Sequence, residues 1–334
     1  MFKKWNVLVA AMMVALIITA CGESEGTEEV EPNIEQGEAT TEEGNEESAD
    51  GTATDDFPRT VTDALGDEVT IDEKPERMIS LIPSITETLY SLDQGDNVVG
   101  RTDWDNYPEE VLEVESVGDM TFDVERVLSL QPDLVLSHES NAHSSEEGLE
   151  QIRSAGIPVV VINDATSIDA VYEAITLIGE ASGADEQAEN TVEEMKERFA
   201  AVEEKASEIS EEERVSVWIE VSDELYTAGS NTFIDEMLSM INADNIANTE
   251  DGWPQFTEEE VVTLNPEVII TTYGYYVEDA DEKIKDRAAW QDVEAVVNDR
   301  IYDVQSDEVT RSGPRLIKGV EELASVIYPE VFGE

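Results

Sequence analysis

Cysteine occurs once in the 334 residues, at Cys21, and histidine only twice, at His138 and His143. One thiol excludes an intramolecular disulfide, a zinc–thiolate centre and a cysteine-held iron–sulfur cluster. Two histidines five residues apart do not supply the spacing of a metal site, so no resident metal and no cofactor are expected. Basic residues are scarce too: 19 Lys and Arg stand against 80 Asp and Glu, a formal net charge of -61. Such a surface is unsuited to nucleic acid or to anionic lipid. The signatures G-x-S-x-G, H-E-x-x-H and G-x-x-x-x-G-K-[ST] are all missing. With 80 acids, pairs of carboxylates arise by chance, so a surface hydrolase with an Asp/Glu site has nothing specific behind it. The acids run through the whole chain, which reads as solvation for very salty surroundings, a halophilic adaptation.

What the sequence does have begins at its front. Lys3 and Lys4 precede the apolar run VLVAAMMVALIITA, and small residues lead into Cys21. This is the pattern of a lipoprotein signal peptide over residues 1–20, with lipid attachment expected at Cys21. The acylated cysteine would hold the protein on the extracytoplasmic face of the cell membrane. Residues 21–56, rich in acids, Gly, Ser and Thr and without Lys or Arg, cannot form a core and read as a disordered tether.

From residue 57 strands and helices alternate, which predicts an α/β fold with mostly parallel sheets covered on both faces. RTVTDALGDEVTI reads as a hairpin; RMISL, NVVGR, DLVLS and PVVVI read as strands separated by helices, making an N-terminal lobe over 57–184. Residues 185–213 lack proline and glycine and are rich in Ala, Glu, Lys and Met, so one continuous backbone helix is expected there. The same alternation restarts in a C-terminal lobe over 214–334, with VSVWIEV, EVIITT and DRIYDVQ as strands and PRLIKGVEELASVI as the terminal helix. One phrase occurs twice. DVERVLSLQPDLVL and EEEVVTLNPEVII align Glu125 with Glu259, Pro132 with Pro266 and Asp133 with Glu267, each pair 134 residues apart. Two similar Rossmann-like lobes joined by one long helix account for it.

Two lobes make the cleft between them the default ligand site. Aromatics follow the strands that would face it: Trp104 and Tyr107 after NVVGR, Tyr226 after VWIEV, Trp253 before the second repeat helix, and Tyr273, Tyr275 and Tyr276 after EVIITT. His138 closes the first repeat strand, as a loop residue that touches ligand or is merely exposed. Glu125 and Glu259 each open a helix. Either they complement the helix dipole, or they present matched carboxylates to a membrane partner.

PERMISLIPSITETLYSLD, DVERVLSLQPDLVLS, AGIPVV, NTFIDEML and the second repeat together resemble class III, helical-backbone substrate-binding proteins of ABC importers for cobalamin, ferric siderophores and haem. Within that family the chain is most similar to cobalamin-binding members. The resemblance implies ligand contacts at Trp104, with Tyr107 just behind it, at Tyr226, Trp253 and Arg311; His138 and Tyr273 join them as candidates from their own places at strand ends. It implies that Glu125 and Glu259 engage arginines of a dimeric permease carrying its ATPase subunits. A monomer without catalytic residues is implied, binding cobalamin or a related corrinoid, with a ferric siderophore or haem as the alternative. Asp119 and His138 stand where further pocket tryptophans could be, and only Arg311 and Arg101 could hold an anionic iron complex.

Overall fold

The computed structural model describes residues 57–119 and 121–333. The expected signal peptide, Cys21 and the expected tether lie outside the described residues. The N-terminal lobe opens with the hairpin β1 (Arg59–Thr62) and β2 (Glu68–Ile71), paired antiparallel. It continues through β3 (Met78–Ser80), α1 (Pro83–Ser91), β4 (Val98–Gly100), α2 (Val124–Ser129) and β5 (Leu134–His138). Then follow α3 (Glu139–Ser144), α4 (Glu146–Ser154), β6 (Val159–Ile162) and α5 (Ile168–Ser182). After α6 (Asp185–Ala206) the C-terminal lobe runs β7 (Ser216–Glu220), α7 (Phe233–Met240), β8 (Asp244–Asn245), α8 (Glu258–Leu264) and β9 (Val268–Thr271). It closes with α9 (Ala280–Lys285), α10 (Glu294–Val297), β10 (Ile301–Asp303), α11 (Ser306–Thr310), α12 (Leu316–Ile327) and α13 (Pro329–Phe332).

Each lobe is built on a parallel four-stranded sheet, ordered β4-β3-β5-β6 in the first and β8-β7-β9-β10 in the second. The orders superimpose strand for strand. Every residue of β5, β6 and β9 is buried, as expected of strands covered by helices on both faces. The repeated phrase has the same function in both lobes. Asp133 donates its N–H to the Arg77 carbonyl at 2.9 Å, and its carboxylate accepts from the Arg77 N–H at 3.0 Å. Glu267 donates to the Ser216 carbonyl at 3.0 Å and accepts from the Ser216 N–H at 2.8 Å. In each lobe the acid after the repeat's proline fastens the entrance of one strand to the start of its neighbour.

The backbone helix is shorter than the sequence led us to expect. It ends at Ala206, so its 22 residues span about 33 Å at 1.5 Å per residue. Ile209 turns back into the core, and Ser210 forms a capping box with Glu213 that opens a separate turn over residues 211–213. The buried stripe of α6 (Ala188, Val192, Met195, Phe199, Val202, Ala206) packs on α5 on one side and on α7, α12 and α13 on the other. One hydrophobic cluster therefore runs through both lobes, from Leu136 and Ile162 to Ile219 and Ile270. No helix among the described residues is long and apolar enough to cross a membrane.

Candidate functional site

In a parallel sheet the carboxyl ends of the strands carry the loops that meet a ligand. Between the lobes those loops enclose a cleft of about 310 Å3. The first lobe contributes Pro83 and Ser84 beyond β3, His138 at the end of β5, and Asp164 and Thr166 beyond β6. The second contributes Asn231, Thr232 and Phe233 at the start of α7, then Trp253 and Arg311.

Of the aromatics expected at the ligand site, Trp253 lines this cleft, whereas Trp104 and Tyr226 are exposed outside its lining. Trp253 is 46% exposed and meets buried Phe233 edge-on, ring centroids 6.1 Å apart. Tyr226, 38% exposed, stands beside it, its backbone bridged to Gln255. Trp104, on the first lobe, is 61% exposed, and its carbonyl accepts from Arg311 Nη2 at 3.4 Å. Tyr275 and Tyr276, after β9, are both exposed, with ring centroids 4.8 Å apart.

Two expected contacts are corrected. Tyr273 is 1% exposed; its hydroxyl donates to Glu220 Oε1 at 2.5 Å inside the second lobe, and burial pushes its pKa far up. Glu220, itself fully buried, also receives Arg287 at 2.6 Å and Trp218 Nε1 at 3.1 Å, so Tyr273 completes an internal polar cluster and offers no surface. Tyr107 does not line the cleft either. The Arg315 guanidinium lies over its ring at 4.1 Å, which turns it into a separate groove with Tyr90, Pro314 and Lys318.

His138 does reach the cleft. Its Nδ1 accepts from the Ser140 N–H at 3.2 Å, which assigns the proton to Nε2, 3.9 Å from Asp164 Oδ1. Burial lowers its pKa, against the opposing pull of Asp164 and Glu139, so the ring is neutral near pH 7. Among the described residues no group of three or more His, Asp or Glu is placed to hold a metal ion.

Arg311 lines the cleft, but its guanidinium is already engaged. Nη1 donates to Glu87 Oε1 at 2.7 Å and to Asn106 Oδ1 at 2.8 Å, and Nη2 lies 3.0 Å from Asp307. Glu87, 4% exposed in the middle of α1, also receives Arg315 through Nε at 2.7 Å and Nη2 at 2.8 Å. A second polar contact crosses the lobes at α7, where Glu236 accepts from the Ile168 N–H, at the start of α5, at 2.6 Å. Arg101 is committed as well, donating to the carbonyls of Val111 and Thr102. Sequence reasoning missed Glu87 and Glu236, which nothing sets apart among 80 acids. It also missed Asp164, although its place just beyond a strand was a usable signal.

Glu125 and Glu259 occupy the second position of α2 and of α8, and both are exposed. Neither is the cap. Asp123 caps α2, while Thr257 and Glu260 form a capping box on α8. Each helix runs back from the carboxyl edge of its sheet to the amino end of the next parallel strand. Both glutamates therefore stand at the edge that carries the cleft, at equivalent points of the two lobes.

The model of the periplasmic binding protein family matches residues 78–308. An uncharacterized ABC transporter substrate-binding lipoprotein of Bacillus subtilis, YvrC, is 48% identical over 283 residues, 84% of this chain and 89% of that one. A cobalamin-binding protein of Halobacterium salinarum is 31% identical over 280 residues, 81% of this chain and 74% of that one. Among solved structures, a possible iron-binding (periplasmic solute-binding) protein of Staphylococcus epidermidis superimposes with a TM-score of 0.68 at 35% identity, covering 77% of this chain and all of that one. The chain therefore belongs to the periplasmic binding protein family, in the helical-backbone class of extracytoplasmic, non-catalytic carriers that serve ABC importers.

Proposed function

We propose that this carrier, anchored through a lipid on Cys21, captures cobalamin or a related corrinoid between its lobes and delivers it to an ABC permease. The observation that carries this reading is the exposed indole of Trp253 in the interlobe cleft. The cleft, about 310 Å3, lies at the small end of ligand sites, and Trp253 lines it with 46% of its surface exposed, a broad apolar face for a ligand larger than the cleft itself. A large macrocycle laid on this indole has its edge groups within the cleft that Asn231, Thr232 and Ser84 line. The cobalamin-binding relatives of Halobacterium salinarum support the same ligand class. Glu125 and Glu259, uncapping and exposed, serve as the two permease contacts; a rigid body presenting both raises the effective concentration of the second contact once the first has formed.

A ferric siderophore or haem is the second reading. It is favoured by the neutral His138 that opens into the cleft and by the likeness to the possible iron-binding protein. Calorimetric titration of the folded domain in high salt against cyanocobalamin, a ferric trihydroxamate, a ferric tris-catecholate and haem separates the readings. Saturable 1:1 binding of cyanocobalamin is expected. Saturable binding of an iron ligand with none of cyanocobalamin overturns the corrinoid assignment.

A further inference from the structure

We infer that the cleft is a charge filter: it accepts uncharged or cationic chelates and rejects anionic ones, because Glu87 and Asp307 hold Arg311 neutralised and Asp164 adds a negative charge at the wall. The inference rests on the interlobe cleft being the ligand site, and it narrows the ligand class there. Among the described residues that line the cleft, Arg311 is the only Arg or Lys. Both of its terminal nitrogens already face carboxylates, Glu87 at 2.7 Å and Asp307 at 3.0 Å. Arg315 offers no relief, since its donors go to Glu87 and Glu308. Two guanidinium charges thus meet three carboxylates, and Asp164 makes four, a balance of -2 around the cleft.

An anion entering this site has to draw Arg311 from partners that are themselves largely buried. Glu87 would lose one of its two guanidiniums inside the protein, a costly exchange for a charge removed from water. The field of the whole chain, at -61, opposes the same approach. An uncharged ligand meets neither penalty. It finds in Ser84, Thr166, Asn231 and Thr232 hydroxyl and amide groups suited to peripheral amides or hydroxyls.

The test compares two iron chelates of similar size and opposite character, a neutral ferric trihydroxamate and a trianionic ferric tris-catecholate, with cyanocobalamin alongside at one fixed ionic strength. The wild-type domain is expected to bind the trianion at least about tenfold more weakly than an uncharged ligand, since like-charge juxtaposition disfavours a partner by that order or more. In Asp164→Asn with Asp307→Asn, which brings the local balance to zero, the trianion-to-neutral affinity ratio is expected to rise about tenfold or more. Asp164→Asn alone, which leaves the interlobe contacts in place, gives the same direction of change if the double variant is unstable. Equal affinity for trianion and neutral ligand in the wild type contradicts the filter, as does an unchanged ratio in both variants. Failure to bind cyanocobalamin while the charge discrimination persists overturns the corrinoid reading and leaves the filter standing.

Discussion

Glu87 and Arg311 meet across the two lobes at 2.7 Å, the first from the helix after β3 and the second from the segment before α12. With Arg315 reaching both carboxylate oxygens, Glu87 holds two guanidiniums, and its removal leaves Arg311 with Asp307 and Arg315 with Glu308. Glu87→Ala is expected to destabilise the protein by about 1.5–3 kcal/mol, the usual cost of losing hydrogen bonds between charged groups whose other partners remain. Urea unfolding at constant salt measures it; a loss under 1 kcal/mol would show that the contact is incidental.

The same contact, the Glu236 carboxylate on α5 and the shared hydrophobic cluster all restrain the lobes. Only a small closure on loading is expected. X-ray scattering profiles of free and ligand-saturated protein should nearly coincide, and a clear change in radius of gyration would contradict the restraint.

His138 makes stability depend on pH in a defined window. The fold keeps the imidazole neutral by burial, while the unfolded chain takes up a proton from about pH 6.5 downward. Below that pH the unfolded state binds more protons, so the free energy of unfolding falls as pH falls towards the depressed folded pKa. His138→Gln should flatten this component of the slope just below pH 6.5. An identical slope in the variant would assign the effect to other groups.

Glu125→Ala combined with Glu259→Ala removes two exposed side chains that cap nothing. Stability should change by no more than about 0.5 kcal/mol per site, as for ordinary surface positions. Ligand titration should be unaffected, while stimulation of the permease ATPase should be lost. Transport at the wild-type rate would remove the docking role.

Much of this was legible beforehand because it is periodic. Strand runs such as PVVVI and EVIITT can hardly be anything else once both faces are covered, and the 134-residue repeat foretold two superimposable sheet orders. The interpretation of Asp133 and Glu267 went deeper in the structure, where the repeated acid proves to be a fastening between neighbouring strands. What stayed hidden was side-chain commitment. Tyr273 and Tyr275 lie two residues apart after the same strand, yet one is anchored to Glu220 and the other stands in solvent. Nor does any local signal tell that Arg311 pairs with Glu87, more than two hundred residues earlier in the chain. The end of α6 escaped because Ser207 and Ser210 are weak breakers by propensity; burial of Ile209 and the Glu213 capping box decide the matter.

Co-crystallisation with cyanocobalamin addresses the central claim most directly. The corrin should lie between the lobes across the indole of Trp253, with peripheral amides directed at Asn231 and Thr232 and Arg311 still on Glu87. A corrin bound outside the interlobe cleft, or a cleft left empty at saturating ligand, would contradict the account.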